Sequence, residues 1–335
     1  MNLKGCSAKI IVLSFCASAC LVAIGWYAHC WSHCAKKPLK ERRVKAQGLR
    51  FTSPLLDVEL PEGLSVSSEA HPFKYKVSAF VKQQTDGTRV QNISVYYRDL
   101  GDGPWFDINH DLKFNPASMM KVPVMIAWLK RAEKNSAVLN QTFLFSSRTD
   151  LSTQQNYRPH QTLVAGNRYP IQTLLEYMIR YSDNNATSLL YSNMATEELN
   201  AVLDGMDITN RPEGDNNSTT VHGYSGFFRI LYNASFLNRE MSEKALELLS
   251  HEDFPQGIIA GVPKGVPVAA KFGEFESGSR GETKQLHEFG IVYHPKGHYI
   301  LGIMTLGNDF GRQAEIIKEI SNLVYREVDA GTTIK

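Results

Sequence analysis

Cysteine is missing from residue 35 to the end of the 335-residue chain: all five (Cys6, Cys16, Cys20, Cys30 and Cys34) stand near its start. The larger part of the protein therefore has neither disulfides nor metal thiolates, and no zinc or iron–sulfur spacing can be drawn in it. Also lacking are a G-x-S-x-G elbow, a phosphate-binding P-loop, a dinucleotide fingerprint and an H-E-x-x-H metal pair. His294 and His298 flank the turn Pro295-Lys296-Gly297 with no carboxylate partner nearby and read as a solvated hairpin end. No metal and no cofactor are expected. Acidic residues are scarce only at the start, where the first 50 positions hold nine of the 36 basic residues and the single acid Glu41, a charge of +8. The other 285 residues carry 27 basic and 33 acidic side chains, or −6, so the formal +2 is a cancellation between two regions. The body is mildly acidic, which leaves a nucleic-acid partner without basis.

Residues 10–28 form an uncharged run, IIVLSFCASACLVAIGWYA, behind a basic tail at 1–9. At about 1.5 Å per helical residue it nearly spans a hydrocarbon core of roughly 30 Å, and it ends on Trp26 and Tyr27, aromatics suited to the interface. It reads as a single membrane anchor. A cleaved signal segment at Ala17-Ser18-Ala19, or a lipoprotein anchor at Cys20, is the rival reading. Lys36, Lys37, Lys40, Arg42, Arg43 and Lys45 follow the span, which by charge alone would put the body in the cytoplasm. Residues 29–71, with Pro38, Pro54 and Pro61 and no sustained period, are expected to be a linker.

The body, residues 72–330, reads as strands, helices, strands and a helix. Alternation in 75–83 and 90–99 about Thr85-Asp86-Gly87-Thr88 predicts a hairpin, followed by a short strand in 105–111. Residues 117–133 are helical in tendency, with Pro123 tolerated in the first turn. Further helices are expected in 171–181, 184–194, 196–206 behind Thr196, 225–237, and 242–250 behind Ser242. Strands return in 266–275, 286–295 and 298–307, and an amphipathic helix closes the chain with Ile316, Ile317, Ile320, Leu323 and Val324 on one stripe. This order gives an α+β body, with helices at about 115–252 inserted between sheet segments and a cleft where the halves meet.

Three short motifs fall where the chain crosses between those halves. Ser118-Met119-Met120-Lys121 opens an apolar helix, and its spacing puts both polar side chains on one face within hydrogen-bond reach. A lysine desolvated by Met119, Met120, Val122 and Val124 can be neutral enough to take a serine proton. The helix start also offers free backbone N–H groups to an oxyanion. Ser182-Asp183-Asn184 follows another apolar helix, and Lys271-Phe272-Gly273 lies in an otherwise apolar strand. Singly these read as solvated neighbours, a helix cap and an edge-strand charge.

In that order the three motifs, with the phrases FNPASMMKVPVMIAWL and SDNNATSLL, resemble the active-site serine hydrolases that include class A β-lactamases and penicillin-binding D,D-peptidases. The resemblance spans roughly residues 72–328 and implies their fold, an antiparallel sheet flanked by helices plus an inserted all-helical subdomain. It implies Ser118 as the acylated nucleophile, Lys121 as base or relay, and Ser182 as the proton carrier to the leaving nitrogen. Asn184 would hold a substrate carbonyl, Lys271 would attract a substrate carboxylate, and the N–H groups of Ser118 and of Glu274, just past Gly273, would form the oxyanion hole. Asp183 would buttress its loop. The implied partner is a small-molecule β-lactam or a peptidoglycan peptide, met outside the cytoplasmic membrane despite the charge rule.

The chain departs from the family pattern twice. Phe272 stands where the family has Thr or Ser, and so offers no hydroxyl to a substrate carboxylate; Arg280, Thr283 or Lys284 would have to help. The segment Arg211-Pro212-Glu213-Gly214-Asp215-Asn216-Asn217 keeps the Arg, Glu and last Asn of the family's deacylation loop but not its Leu. Glu213 is thus the candidate general base for releasing the acyl group. Without it the acyl-enzyme would be long-lived, as in a D,D-peptidase or penicillin-binding protein. A binding or sensor module that has lost efficient chemistry is the remaining alternative.

Overall fold

Apolar alternation along three strands builds the centre of the molecule. The computed structural model describes residues 50–52, 73–101, 103–204, 218–278 and 282–331. The basic tail, the candidate span at 10–28, most of the expected linker, and Glu213 and Arg280 lie outside the described residues. Among the described residues no helix is long and apolar enough to cross a membrane. Strands β1 (Val90–Asp99), β2 (Trp105–Ile108), β5 (Val268–Ser277), β6 (Thr283–Val292) and β7 (Tyr299–Gly307) form one antiparallel sheet in the order β2-β1-β7-β6-β5. Ala269, Ile300 and Met304 face the helical half, whereas Val268, Ala270, Phe272, Tyr299, Leu301 and Ile303 face the opposite core. That period of two lets a single sheet serve two cores.

The opposite core is covered by α1 (Lys74–Gln84) and α8 (Phe310–Asp329). The hairpin expected at 75–83 is therefore corrected: this segment is a helix, and residues 85–88 connect it to β1. Its buried residues are Val77 and Val81, four apart, while Tyr75 is 68% exposed. The apparent alternation was one helical stripe, seated on α8 and tied to it by Lys76 Nζ to Glu327 Oε1 at 2.6 Å.

The helical half surrounds α2 (Lys121–Lys134), whose Val122, Met125, Ile126, Trp128 and Leu129 are all buried. Around it stand α3 (Ile171–Arg180), α4 (Asn184–Ser192), α5 (Thr196–Asp204), α6 (Val221–Asn233) and α7 (Arg239–Leu249). The starts of two helices differ from expectation for capping reasons. Thr220 accepts the Gly223 N–H, so α6 begins at Val221, and Asn238 rather than Ser242 caps α7 by accepting the Met241 N–H. A two-stranded ribbon, β3 (Thr142–Leu144) with β4 (Arg168–Pro170), was not foreseen.

Part of the expected linker is docked on the body. The Glu243 carboxylate on α7 accepts the backbone N–H groups of Arg50, Phe51 and Thr52 at 2.6, 2.8 and 2.8 Å, and the Thr52 hydroxyl at 3.0 Å. Phe51 is buried edge-on against Tyr293, whose hydroxyl donates to the Phe51 carbonyl at 3.1 Å. Because hydrogen bonds to a charged acceptor are the stronger kind, Glu243→Ala is expected to lower unfolding stability by about 1–3 kcal/mol. It should also speed chymotryptic cleavage after Phe51, both read by urea melts and limited proteolysis.

Candidate active site

Ser118 sits in a tight 3-10 turn, Ala117–Met120, that feeds directly into α2. The turn holds Ala117 at φ 48°, a left-handed conformation that a residue with a Cβ adopts only under constraint. The constraints come from the sheet and from α6. Asn115 Oδ1 accepts the Ala117 N–H at 2.9 Å, the Asn115 N–H donates to Gln285 Oε1 at 2.9 Å, and the Tyr224 hydroxyl donates to the Met119 carbonyl at 2.8 Å. Gly273 of β5 closes in from the other side. A Cβ there would lie 2.7 Å from the Pro116 carbonyl and 3.0 Å from the Met119 nitrogen, so only glycine lets the strand edge approach the turn. Ser118 itself is half-buried, and its hydroxyl has no hydrogen-bond partner among the described residues.

Lys121, 3% exposed, points its ammonium at the second motif. Nζ donates to the Ser182 carbonyl at 2.7 Å, to Ser182 Oγ at 3.1 Å and to Asn184 Oδ1 at 2.8 Å. Burial first, and the neighbouring Lys271 charge second, hold the Lys121 amine well below the usual lysine range, against the opposing charges of Asp183 and Glu274. The hydrogen bond expected from spacing between Ser118 and Lys121 is absent among the described residues, because Lys121 Nζ is turned to the second motif instead. Ser182 is fully buried at φ 55°, another strained non-glycine position. Asp183 caps α4 by accepting the Asn185 N–H at 3.0 Å, and also accepts from Thr162 Oγ1 at 3.0 Å and the Leu163 N–H at 3.1 Å. Burial raises its carboxyl above the ordinary range. Its contacts are those of a buttress for the loop.

β5 is the free edge of the sheet facing this cluster. Lys271 is fully buried and its Nζ donates to Glu252 Oε1 at 2.9 Å, while resting 4.1 Å from the centre of the Phe272 ring. The Phe272 N–H points off the edge to the same Glu252 oxygen at 2.5 Å. Since N–H directions alternate along an antiparallel edge, the Glu274 N–H two residues on points off the same side of the strand. The Glu274 carboxylate accepts the Tyr157 N–H at 3.1 and 3.2 Å, and burial raises its pKa.

The motifs gave no sign of the loop that joins both walls of the cleft. Gln155 donates from Nε2 to the Ser182 carbonyl at 3.0 Å and accepts the Asn184 N–H at 3.3 Å. One residue later Asn156 Nδ2 donates to Glu276 Oε2 at 2.9 Å, and Tyr157 meets Glu274, so residues 155–157 cross from the helical half to β5. Glu252 and His287 were also missed. A lysine in an apolar strand demands a counter-charge, which was the available signal for Glu252. Among the described residues no group of histidines, cysteines and carboxylates could hold a metal ion.

Comparison with known proteins places this geometry in context. Residues 73–328 match the model of a family described as the beta-lactamase enzyme family. No curated protein sequence matches the chain. Among solved structures, PBP-A is 19% identical with a TM-score of 0.63, covering 76% of this chain and 96% of its own. TLA-3 extended-spectrum beta-lactamase is 14% identical at TM-score 0.65, covering 76% and 98%, and a class A beta-lactamase from Mycobacterium abscessus is 20% identical at 0.62, covering 76% and 99%. At these identities the likeness establishes a shared fold.

His287 ties the segment before the Ser118 turn to the sheet and yields a pH signature. It is fully buried; Nε2–H donates to the Asn115 carbonyl at 3.1 Å and Nδ1 accepts the Thr305 N–H at 3.2 Å, which fixes the neutral tautomer. Burial pushes its pKa from 6.5 down to about 3. The folded state therefore resists a proton that the unfolded chain accepts, so the histidine's stabilisation is complete above pH 6.5 and declines as pH falls toward 3. Between pH 6 and 4, His287→Gln should remove up to about 1.4 kcal/mol per pH unit from the slope of unfolding free energy, measured by urea titration. An unchanged slope would show that the histidine is protonated in the folded protein.

Proposed function

Because the chain belongs to the beta-lactamase enzyme family, we propose that it is a serine hydrolase that opens an amide bond of the β-lactam kind through an acyl-enzyme on Ser118. The observation that carries this reading is the buried Lys121 amine, three residues from Ser118 at the start of α2 and held against Ser182 and Asn184, which places it to hand a proton to Ser182. The Ser118 oxygen attacks the substrate carbonyl while Lys121 accepts its proton. The tetrahedral oxyanion is held between the N–H groups of Ser118 and Glu274. Collapse breaks the carbon–nitrogen bond, Ser182 gives its hydroxyl proton to the leaving nitrogen, and Lys121 restores that proton across the 3.1 Å contact. Asn184 keeps an amide group free to orient the substrate.

Water then hydrolyses the ester, with Glu213 as its base. Should Glu213 not serve, the ester persists and the protein acts as a cell-wall D,D-peptidase or penicillin-binding protein on the same scaffold. The uncharged run at 10–28 supports a membrane-anchored protein, and the proposed action on β-lactams or cell-wall peptides, not the charge that follows the run, is what places its body outside the cytoplasm.

Incubation with a chromogenic cephalosporin and a labelled penicillin, beside Ser118→Ala, tests the reading. The expected result is turnover or covalent labelling that the substitution abolishes. Rapid turnover identifies a β-lactamase, and label that stays on the protein identifies the slow-deacylating alternative. If the two proteins behave alike, Ser118 is not the nucleophile. Glu213→Gln should slow release of the acyl group by about 100-fold or more if that residue activates the water.

A further inference from the structure

The resemblance would have the third motif meet a substrate carboxylate, yet the side chains along β5 offer an anion little to bind. Lys271 is fully buried and its ammonium is matched at 2.9 Å by Glu252, whose carboxylate is only 5% exposed, so the two make a closed pair of no net charge. A substrate carboxylate could take Glu252's place on the ammonium only by leaving Glu252 buried and unpaired, which is costly. Phe272 stands in place of a hydroxyl side chain, and its ring is stacked on Phe254 at 4.4 Å with Tyr157 edge-on to both at 5.9 and 5.0 Å. Two residues on, and so on the same face of the strand, the Glu274 carboxylate accepts the Tyr157 N–H with both oxygens. We infer that Glu274 is a specificity-determining residue, and that the cleft selects acyl substrates with no negative charge at the place where a penicillin carries its carboxylate: neutral amides or esters. This selectivity rests on the acyl-enzyme reading of Ser118 and narrows its substrate class.

The loop at 155–157 ties this stretch of β5 to the other wall. Gln155 holds the Ser182 carbonyl and the Asn184 N–H, and two residues later Tyr157 holds Glu274, so that carboxylate stands where the loop crosses from the second motif to the strand. Glu276, again on the same face, accepts from Asn156 Nδ2 at 2.9 Å and adds a second negative group. Of the residues that would have to help Lys271 with an anion, Thr283 carries no charge. Lys284 lies opposite Glu276 in the β5–β6 register and rests its Nζ 5.2 Å from the centre of the Phe310 ring. The third, Arg280, is tested directly below. Along this wall an anionic substrate thus meets carboxylates and aromatic rings, and like charges a few ångströms apart repel, whereas an uncharged group meets only the rings.

The test uses the full chain and two probes, benzylpenicillin and its methyl ester, which share ring and acyl side chain and differ in that one charge. The second-order rate of Ser118 acylation is followed for each by intact-protein mass near neutral pH. The ester is expected to react at least as fast as the acid; an acid preference beyond about threefold would overturn the assignment and return the third motif to anion binding. Glu274→Gln, which keeps a carbonyl oxygen for the Tyr157 N–H, should shift the acid-to-ester ratio toward the acid by about tenfold. Because the ratio is taken within one protein, a general loss of activity cancels, and an unchanged ratio would remove Glu274 from specificity. Arg280→Ala should leave the ratio within about twofold, and a tenfold shift against the acid would identify Arg280 as the anion's partner and contradict the proposal. If neither probe acylates the unsubstituted protein, the Ser118 reading itself fails, and the proposal with it.

Discussion

A lysine amine buried where two halves of the chain meet is the constraint that organises the rest of the molecule. Desolvating such a group is costly unless its hydrogen bonds are met or its charge is given up. Here the acceptor oxygens around Lys121 come from Ser182 and Asn184, and burial, with a neighbouring cation, holds its pKa well below the usual lysine range. The lysine enters from the start of α2 and its partners come from the junction of α3 and α4. The helical half must therefore be packed correctly before the amine is placed.

The sheet supplies the other wall, and its contribution is one of distance and direction. Gly273 allows β5 to touch the Ser118 turn, and Glu252 accepts the Phe272 N–H on the free edge of that strand. His287, through the Asn115 carbonyl, and Gln285, through the Asn115 N–H, fasten the segment just before the turn. Ala117 and Ser182 are both held at positive φ, so strain is stored on each side of the cleft. Such backbone settings persist where surrounding contacts over-determine them, and here they fix the Ser118 turn.

Much of this was readable from residues alone, for identifiable reasons. The long apolar helices and the returning strands declared themselves by periodicity, and the three motifs by their order at the crossings. What escaped depended on partners distant in sequence. Val77 and Val81 look alike as alternate strand residues or as one helical stripe, and only α8 decides between them. Glu243 and the docked residues 50–52 are separated by about 190 positions, and no local pattern links them. Glu252, Gln155 and His287 are single polar residues in ordinary contexts, and their roles arise from what the fold brings against them. Lys271 was legible as unusual, but the carboxylate that matches it was not.

Conversion of Lys121 to arginine tests most directly whether that buried amine is the base. Arginine offers hydrogen-bond donors of the same kind but stays protonated near neutral pH, so it cannot accept the serine proton. Covalent labelling of Ser118 by penicillin, followed by intact-protein mass, should fall by about 100-fold or more in Lys121→Arg and should not recover up to pH 9. Labelling within tenfold of the unsubstituted protein would contradict the account, because some other group would then be taking the serine proton.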